Sequence, residues 1–350
     1  MPSAPHPSPC PAGELAPLDE LLAGLRVVQI PMRVRFRGID TREVALVRGP
    51  VGWGEFGPFL EYGPAESSRW LAAAVEAAWH GWPEPVRGSV PVNATVPAVP
   101  ASAVPDLLSR YAGCTSVKVK VAERGLTGDG GADVPGLADD LSRVAAVREV
   151  LGRGARIRVD ANGGWSVDQA VEALGKLAAY ELEYAEQPCA SVEELAELRQ
   201  ALARAGTDVP VAADESIRKA ADPLRVVQLE AADLIVVKVA PLGGVRAALR
   251  VVEECGLPAV VSSAIDTSVG LRAGVALAAA LPDLPHACGL GTLHLMAGDV
   301  TAASLLPERG AVPVRDVIPE EDLVRRWEAP PDRQEWWRQR VRAAAEALSG

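Results

Sequence analysis

A chain of 350 residues, 49% of them apolar, can bury a large core as one barrel-sized domain or two smaller ones. Its net charge of −11 excludes nucleic acid or an anionic membrane surface as a partner, since both need a basic face; a small anionic substrate met by local cations or a metal is not excluded. Five scattered cysteines (Cys10, Cys114, Cys189, Cys255, Cys288) without a CxxC read as reduced thiols of a cytoplasmic protein, and His6, His80, His286 and His294 lack zinc-type spacing.

Residues 1–25 are proline-rich, with neither a basic start nor an apolar core, and are expected to form a flexible tail rather than a signal peptide. No apolar run in the chain reaches the roughly 20 residues of a membrane span. From Arg26 the pieces VVQIPMRVRFRG, EVALVRG and VGWGEF alternate like strands and are punctuated by Gly38, Gly49-Pro50 and Gly54, which predicts an antiparallel meander. AESSRWLAAAVEAAWHGW follows as a helix with Trp70, Leu71, Ala74, Val75 and Ala78 on one stripe. Together these segments predict a small α+β unit.

From about Val90 short apolar runs alternate with helical stretches. The runs VPVNATV, SVKVKV, RIRVDAN, LEYAEQP, PVAADES, ADLIVVKV, PAVVSSA and PHACGLG make eight candidate strands. Helical stripes lie between them: Leu141, Val144, Val147 and Leu151; Leu195, Leu198 and Leu202; Val245, Leu249 and Val252. Ser166 with Gln169 and Ser191 with Glu194 have capping-box spacing, and Gly206 and Gly256 stand where helices should stop. Strand–helix alternation predicts parallel strands, and eight units predict a closed (β/α)₈-type barrel over an open doubly wound sheet. The first unit carries Pro97, Pro100 and Pro105, so its helix should be short. The glycine-rich stretch 125–136 has no phosphate-loop signature and reads as a mobile loop. After Leu293 the rhythm stops; GAVPVRDV reads as a strand pair and DRQEWWRQRVRAAAEAL as an amphipathic helix lying against the N-terminal unit or the barrel.

In parallel barrels chemistry gathers at the C-terminal strand ends. The second run ends in Lys118-Val119-Lys120, the third in Asp160-Ala161-Asn162, the fourth in Glu186, the fifth in Asp214-Glu215 and the sixth in Lys238. Three carboxylates on successive strand ends converge if the strands are neighbours, and they need positive charge to share a site. Oxygen ligands suit Mg²⁺ or Mn²⁺. A structural salt-bridge network is the competing reading of the same residues. His286 and Cys288 read as ordinary core residues.

As an ordered set, KxK (Lys118, Lys120), DAN (Asp160, Asn162), EQP (Glu186), ADES (Asp214, Glu215) and VKVAPLGG (Lys238, Gly243, Gly244) resemble the enolase superfamily in its muconate-lactonising subgroup, over residues 26–300. The resemblance implies a capping domain of residues 26–88 with 300–350 over a barrel of residues 89–299. It implies Mg²⁺ held by Asp160, Glu186 and Asp214, with Asn162 and Glu215 supporting them. Lys120 would remove the proton α to a substrate carboxylate, Lys238 would face the enediolate, and Lys118 would tune Lys120 or touch the carboxylate. The segments 30–38, 52–62, 261–271 and 288–296 narrow the implied reaction to loss of water from a succinyl-bearing cyclohexadiene carboxylate in menaquinone biosynthesis. The alternatives are racemisation of an N-succinylamino acid or epimerisation of a dipeptide, and a non-catalytic binding protein on the same scaffold. Candidates for the distal carboxylate are Arg33, Arg35, Ser262, Ser263, Gly289 and Gly291; Phe36, Phe56 and Tyr62 are candidates for the cap side of the pocket. Neither a monomer nor a homo-oligomer is selected.

Overall fold

The computed structural model describes residues 17–36, 38–123, 136–218 and 222–349. The glycine-rich stretch 125–136 lies outside them except for Gly136, as do the first 16 residues of the expected tail. The rest of that segment is folded: helix α1 (Leu18–Ala23) buries Leu21 and Leu22. The capping sheet is antiparallel in the order β1 (Arg26–Phe36), β2 (Ile39–Arg48), β3 (Trp53–Phe56). Helix α2 (Pro64–Val75) lies across it and ends in a π-turn at Glu76–His80. The approach requires glycine at position 54, because a Cβ there would collide with the carbonyl of Ala74.

Strand β4 (Ser89–Pro91) leads into seven parallel strands: β5 (Ala94–Val96), β6 (Ser116–Lys120), β7 (Arg156–Asp160), β8 (Leu182–Glu186), β9 (Val211–Ala213), β10 (Leu234–Val237) and β11 (Ala259–Val261). The eighth position of the ring is taken by residues 288–289. Cys288 N–H donates to Pro91 O (2.7 Å) and Gly289 N–H to Val261 O (2.8 Å), so this segment joins β11 to the β4–β5 entry and closes the barrel. The connecting helices are α3 (Val104–Leu108), α4 (Leu137–Leu151), α5 (Val167–Leu177), α6 (Val192–Ala205), α7 (Glu215–Arg218), α8 (Arg225–Gln228), α9 (Val239–Leu242), α10 (Val245–Cys255) and α11 (Ser268–Ala280). Helix α3 is five residues long, with Pro105 in its first turn. Both capping boxes form, and Gly206 and Gly256 end their helices at positive φ.

Side chains facing the helices join the main core, whereas Tyr184, Ala212, Leu234, Val236 and Val260 form a small separate cluster inside the ring. Arg158 sits below the C-terminal strand ends with its guanidinium 4.7 Å from the Tyr184 ring centre, and it donates to Glu183 and to Ala287 O. His286 Nδ1 lies 2.8 Å from the same Glu183, and Cys288 is buried in the main core.

The tail expected as a strand pair supplies one strand, β12 (Ala311–Pro313), whose partner is β4. Residues 327–329 then edge β1, with Gln29 N–H donating to Trp327 O and Ala329 N–H to Val27 O. Two helices complete the chain: α12 (Glu321–Arg326) and α13 (Pro331–Ser349). Trp337 of α13 is buried edge-on to Phe56 and donates to Glu43. None of the helices among the described residues is long and apolar enough to cross a membrane.

Candidate active site

Parallel pairing sets the level of each side chain. Lys120 lies opposite Asp160 and Asp160 opposite Glu186, so three consecutive strands end in charged groups at one height. Residues two apart share a face, which turns Lys118 inward below Lys120 and places Asp214 above Ala212, the register partner of Glu186. β6 and β10 are four strand positions apart in an eight-position ring, so Lys120 and Lys238 face each other across it.

The backbone beneath these groups is tied down. Arg143 of α4 donates to the carbonyl of Lys120 at 2.7 Å and pairs with Asp140 at 2.9 Å. Gln187 is fully buried at positive φ; its Oε1 accepts from the N–H of Asp214 (2.9 Å) and Ser216 (3.1 Å), and its Nε2 donates to Ser216 Oγ. The residue after Glu186 thereby fixes the end of the next strand.

The three carboxylates and three lysines are all buried. Lys118 Nζ lies 3.0 Å from Asp160 and 2.9 Å from Glu186, Lys120 Nζ 2.7 Å from Asp160, and Lys238 Nζ 2.5 Å from Asp214. Asn162 accepts from Lys120 Nζ and donates to Glu215 at 3.2 Å. Arg218 is a member that the strand-end reading passed over. Its Nε lies 3.1 Å from Asp214, it pairs with Glu215, and it donates to the Tyr62 hydroxyl at 3.2 Å. The signal for it was the i, i+4 spacing from Asp214 along the short helix α7.

Burial alone would raise Asp160, but the ammoniums of Lys118 and Lys120 hold its carboxyl well below the ordinary range. Asp214 is lowered to about 2 against its burial by Lys238 and Arg218. Glu186 moves the other way, to about 7, through burial and the charges of Asp160 and Asp214. Burial opposes charge on Lys118 as well, yet Asp160 and Glu186 raise it. Lys238 is lowered, chiefly by burial.

The charge count bears on a metal. Asp160, Glu186, Asp214 and Glu215 balance Lys118, Lys120, Lys238 and Arg218 only when every lysine is protonated. A lysine that acts as a base must first lose its proton, and the buried site is then one positive charge short. Oxygen donors with such a deficit fit a hard divalent cation. Among the described residues no three His, Cys, Asp or Glu side chains are grouped as a ready ligand set, because the ammoniums occupy the carboxylate oxygens.

A small pocket opens above this cluster. Lys118, Lys120, Asp160, Asn162, Lys238, Ser262, Ser263 and Gly289 line it together with Phe36, and so do Thr95, Ala264, Ile265 and Thr292, which sequence reasoning had not singled out. Lys120 Nζ is 5.4 Å from the Phe36 ring centre. Ser263 Oγ bonds Gly289 O and Thr292 Oγ1. The remaining candidates lie elsewhere. Arg33 donates to Met296 O and Ala297 O, and Arg35 to Gly38 O. Gly291 abuts Tyr111, Phe56 packs on Trp337, and the Tyr62 hydroxyl accepts from Arg218.

Residues 104–319 match the family model described as enolase C-terminal domain-like, and residues 27–78 match enolase N-terminal domain-like. The chain is 56% identical over 322 residues to the o-succinylbenzoate synthase of Thermobifida fusca, covering 92% of this chain and 96% of that protein. It is 54% identical over 330 residues to the o-succinylbenzoate synthase of Mycobacterium marinum, covering 94% and 95%. Among solved structures, 2-chloromuconate cycloisomerase from Rhodococcus opacus superposes with a TM-score of 0.71 at 22% identity, covering 88% of this chain and 98% of that one, a likeness of fold.

Proposed function

We propose a division of labour at this site on one premise: the chain belongs to the enolase superfamily and, within it, to the o-succinylbenzoate synthases. The reaction is the loss of water from a succinyl-hydroxycyclohexadiene carboxylate to give o-succinylbenzoate, a hydro-lyase step. What remains to assign is which side chain does what. The observation that carries the assignment is the opposition of Lys120 and Lys238 across one cavity, with Asp160, Glu186 and Asp214 on the strand ends between them.

Lys120 removes the proton next to the ring carboxylate. Asn162 and Asp160 orient its amine, and the Phe36 ring shields it from water on the cap side. A proton beside a carboxylate is too weak an acid for an unaided side-chain base, so positive charge must face the enediolate as it forms. Lys238 supplies it from the opposite wall. Asp160, Glu186 and Asp214 are the residues that would hold a divalent cation, taken here as Mg²⁺ by analogy with the superfamily; when bound, it supplies further positive charge to the substrate carboxylate. Lys118 stays an ammonium between Asp160 and Glu186 and limits their repulsion. The hydroxyl on the adjacent carbon departs with one proton as water, and the ring becomes aromatic. Ser262, Ser263 and Gly289 lie where the succinyl arm can reach them. We place this chemistry in the cytoplasm, with a small-molecule carboxylate as the partner.

The test is turnover by purified protein with Mg²⁺. Lys120→Ala should lose activity by at least about 10²-fold, the usual span of a general base, while its unfolding temperature stays near the parent's. Normal turnover by that variant would remove the base assignment. Racemisation of N-succinylamino acids without dehydration by the parent would remove the reaction.

A further inference from the structure

Ile265 lines the substrate cavity in a backbone conformation that a β-branched side chain rarely adopts, with φ at +62°. It belongs to the turn between β11 and α11, and it is 2% exposed. Its side chain packs in the main core, and its strained backbone needs restraints of its own. A second small pocket lies beside the turn, lined by Glu55, Gly57, Trp70, Asp266 and Gly270, and meets the first at Lys238, Ser262 and Ala264.

The restraints are polar and come from the capping sheet. Arg42 of β2, 3% exposed, donates from Nε to the carbonyl of Ile265 at 2.9 Å and from Nη2 to the carbonyl of Gly57. Its guanidinium stacks 4.7 Å from the Phe59 ring centre. Glu55 of β3 accepts at Oε2 from Thr267 N (3.1 Å), Thr267 Oγ1 and Gly270 N (3.2 Å), which pins the start of α11 from the other domain. Within the turn, Asp266 accepts from Ala264 N at 3.0 Å. Both residues flanking Ile265 are therefore fixed, and its carbonyl is held by a third contact.

We propose that Arg42 and Glu55 are positioning residues for substrate specificity: they hold the turn 264–267 so that Ile265 adds an apolar wall to the pocket that Phe36 also lines. Apolar walls of this kind suit a flat carbon ring with its carboxylate toward the lysines. An acyclic, hydrated substrate has no use for them. The inference rests on the reading that the cavity at Lys120 and Lys238 is the substrate site.

The experiment uses the full chain with Mg²⁺ and compares KM, kcat and unfolding temperature for Arg42→Gln, Arg42→Lys, Glu55→Gln, Glu55→Ala, Ile265→Gly and the double variant Arg42→Gln/Ile265→Gly. Arg42→Gln, Glu55→Ala and Ile265→Gly should each raise KM about tenfold, the order of a lost pocket contact, with kcat within about threefold of the parent. Glu55→Gln keeps an oxygen toward Thr267 and Gly270 and should stay within about threefold in KM. The double variant should be no worse in KM than the worse single, because both changes remove the same wall. Arg42→Lys keeps the buried charge and carries the KM comparison if Arg42→Gln does not fold. A lowered unfolding temperature with unchanged KM, or KM effects that multiply in the double variant, would overturn the proposal. Full turnover by Lys120→Ala would instead remove the site reading; inactive Lys120→Ala beside an unchanged KM in Arg42→Gln removes the clamp alone.

Discussion

Replacing Lys118 by methionine tests the electrostatics of the site without deleting either opposed lysine. The ammonium stands 3.0 Å from Asp160 and 2.9 Å from Glu186, with about a tenth of its side chain exposed, so solvent screening is slight. At an effective dielectric near 20 each contact is worth roughly 5 kcal/mol gross, and the cost of burying the charge offsets much of it. Removing one partner of a buried pair leaves a net loss of about 3–5 kcal/mol. Unfolding entropy of about 2.1 cal/mol/K per residue over 350 residues converts this to a fall of about 4–7 °C in unfolding temperature. Glu186 moderates this loss. Its carboxyl is already raised to about 7 by burial and its acidic neighbours, and without Lys118 it rises further. Taking up a proton relieves the uncompensated charge, so the loss should sit at the low end near about pH 6 and grow toward about pH 8.5. A divalent cation replaces the missing charge directly. Thermal unfolding of parent and variant, in chelator and in excess Mg²⁺, at both pH values, reads all of this. A deficit that ignores both Mg²⁺ and pH, or no deficit at all, would refute the reasoning.

Mg²⁺ at about 100 times its dissociation constant should stabilise the parent by about 2.7 kcal/mol, and Asp160→Asn should lose most of that gain; an equal gain in both would remove Asp160 from the ligand set. Glu55 is raised to about 8, by burial and then by Asp266. The folded state therefore holds a proton that the unfolded chain releases near 4.5, and stability should fall as pH rises from there through about 8, then level off. Urea unfolding of Glu55→Gln should show this slope reduced, and an unchanged slope would assign it to other groups. Trp337→Ala should cost about 3–5 kcal/mol and expose α13 to proteolysis ahead of the barrel; simultaneous loss of both would mean that α13 is no separate clasp.

The strand-end residues were legible because a period-two pattern interrupted by helical stripes fixes both the order of the strands and which side chains face inward. Local chemistry also announced the capping boxes at Ser166 and Ser191, the glycine stops, and the short α3. The substrate wall was less legible. Arg33 and Arg35 carry the charge that a carboxylate would seek, yet both are engaged by nearby carbonyls outside the cavity. Alternation says which face of a strand a residue occupies, not what that face meets.

What the sequence by itself determined is which charged groups gather at one end of the barrel, because lysines and carboxylates in series at strand ends follow from residue type and spacing alone. The tertiary structure decided how the ring closes and what encloses the pocket above the charged cluster. Closure rests on two residues, 288 and 289, bonded to β4 and β11 through backbone groups that carry no pattern. Confinement rests on contacts more than 200 residues apart, Arg42 to Ile265 and Glu55 to Thr267. Such pairs form only once the domains have docked, and they restrain the turn that carries Ile265 from the other domain.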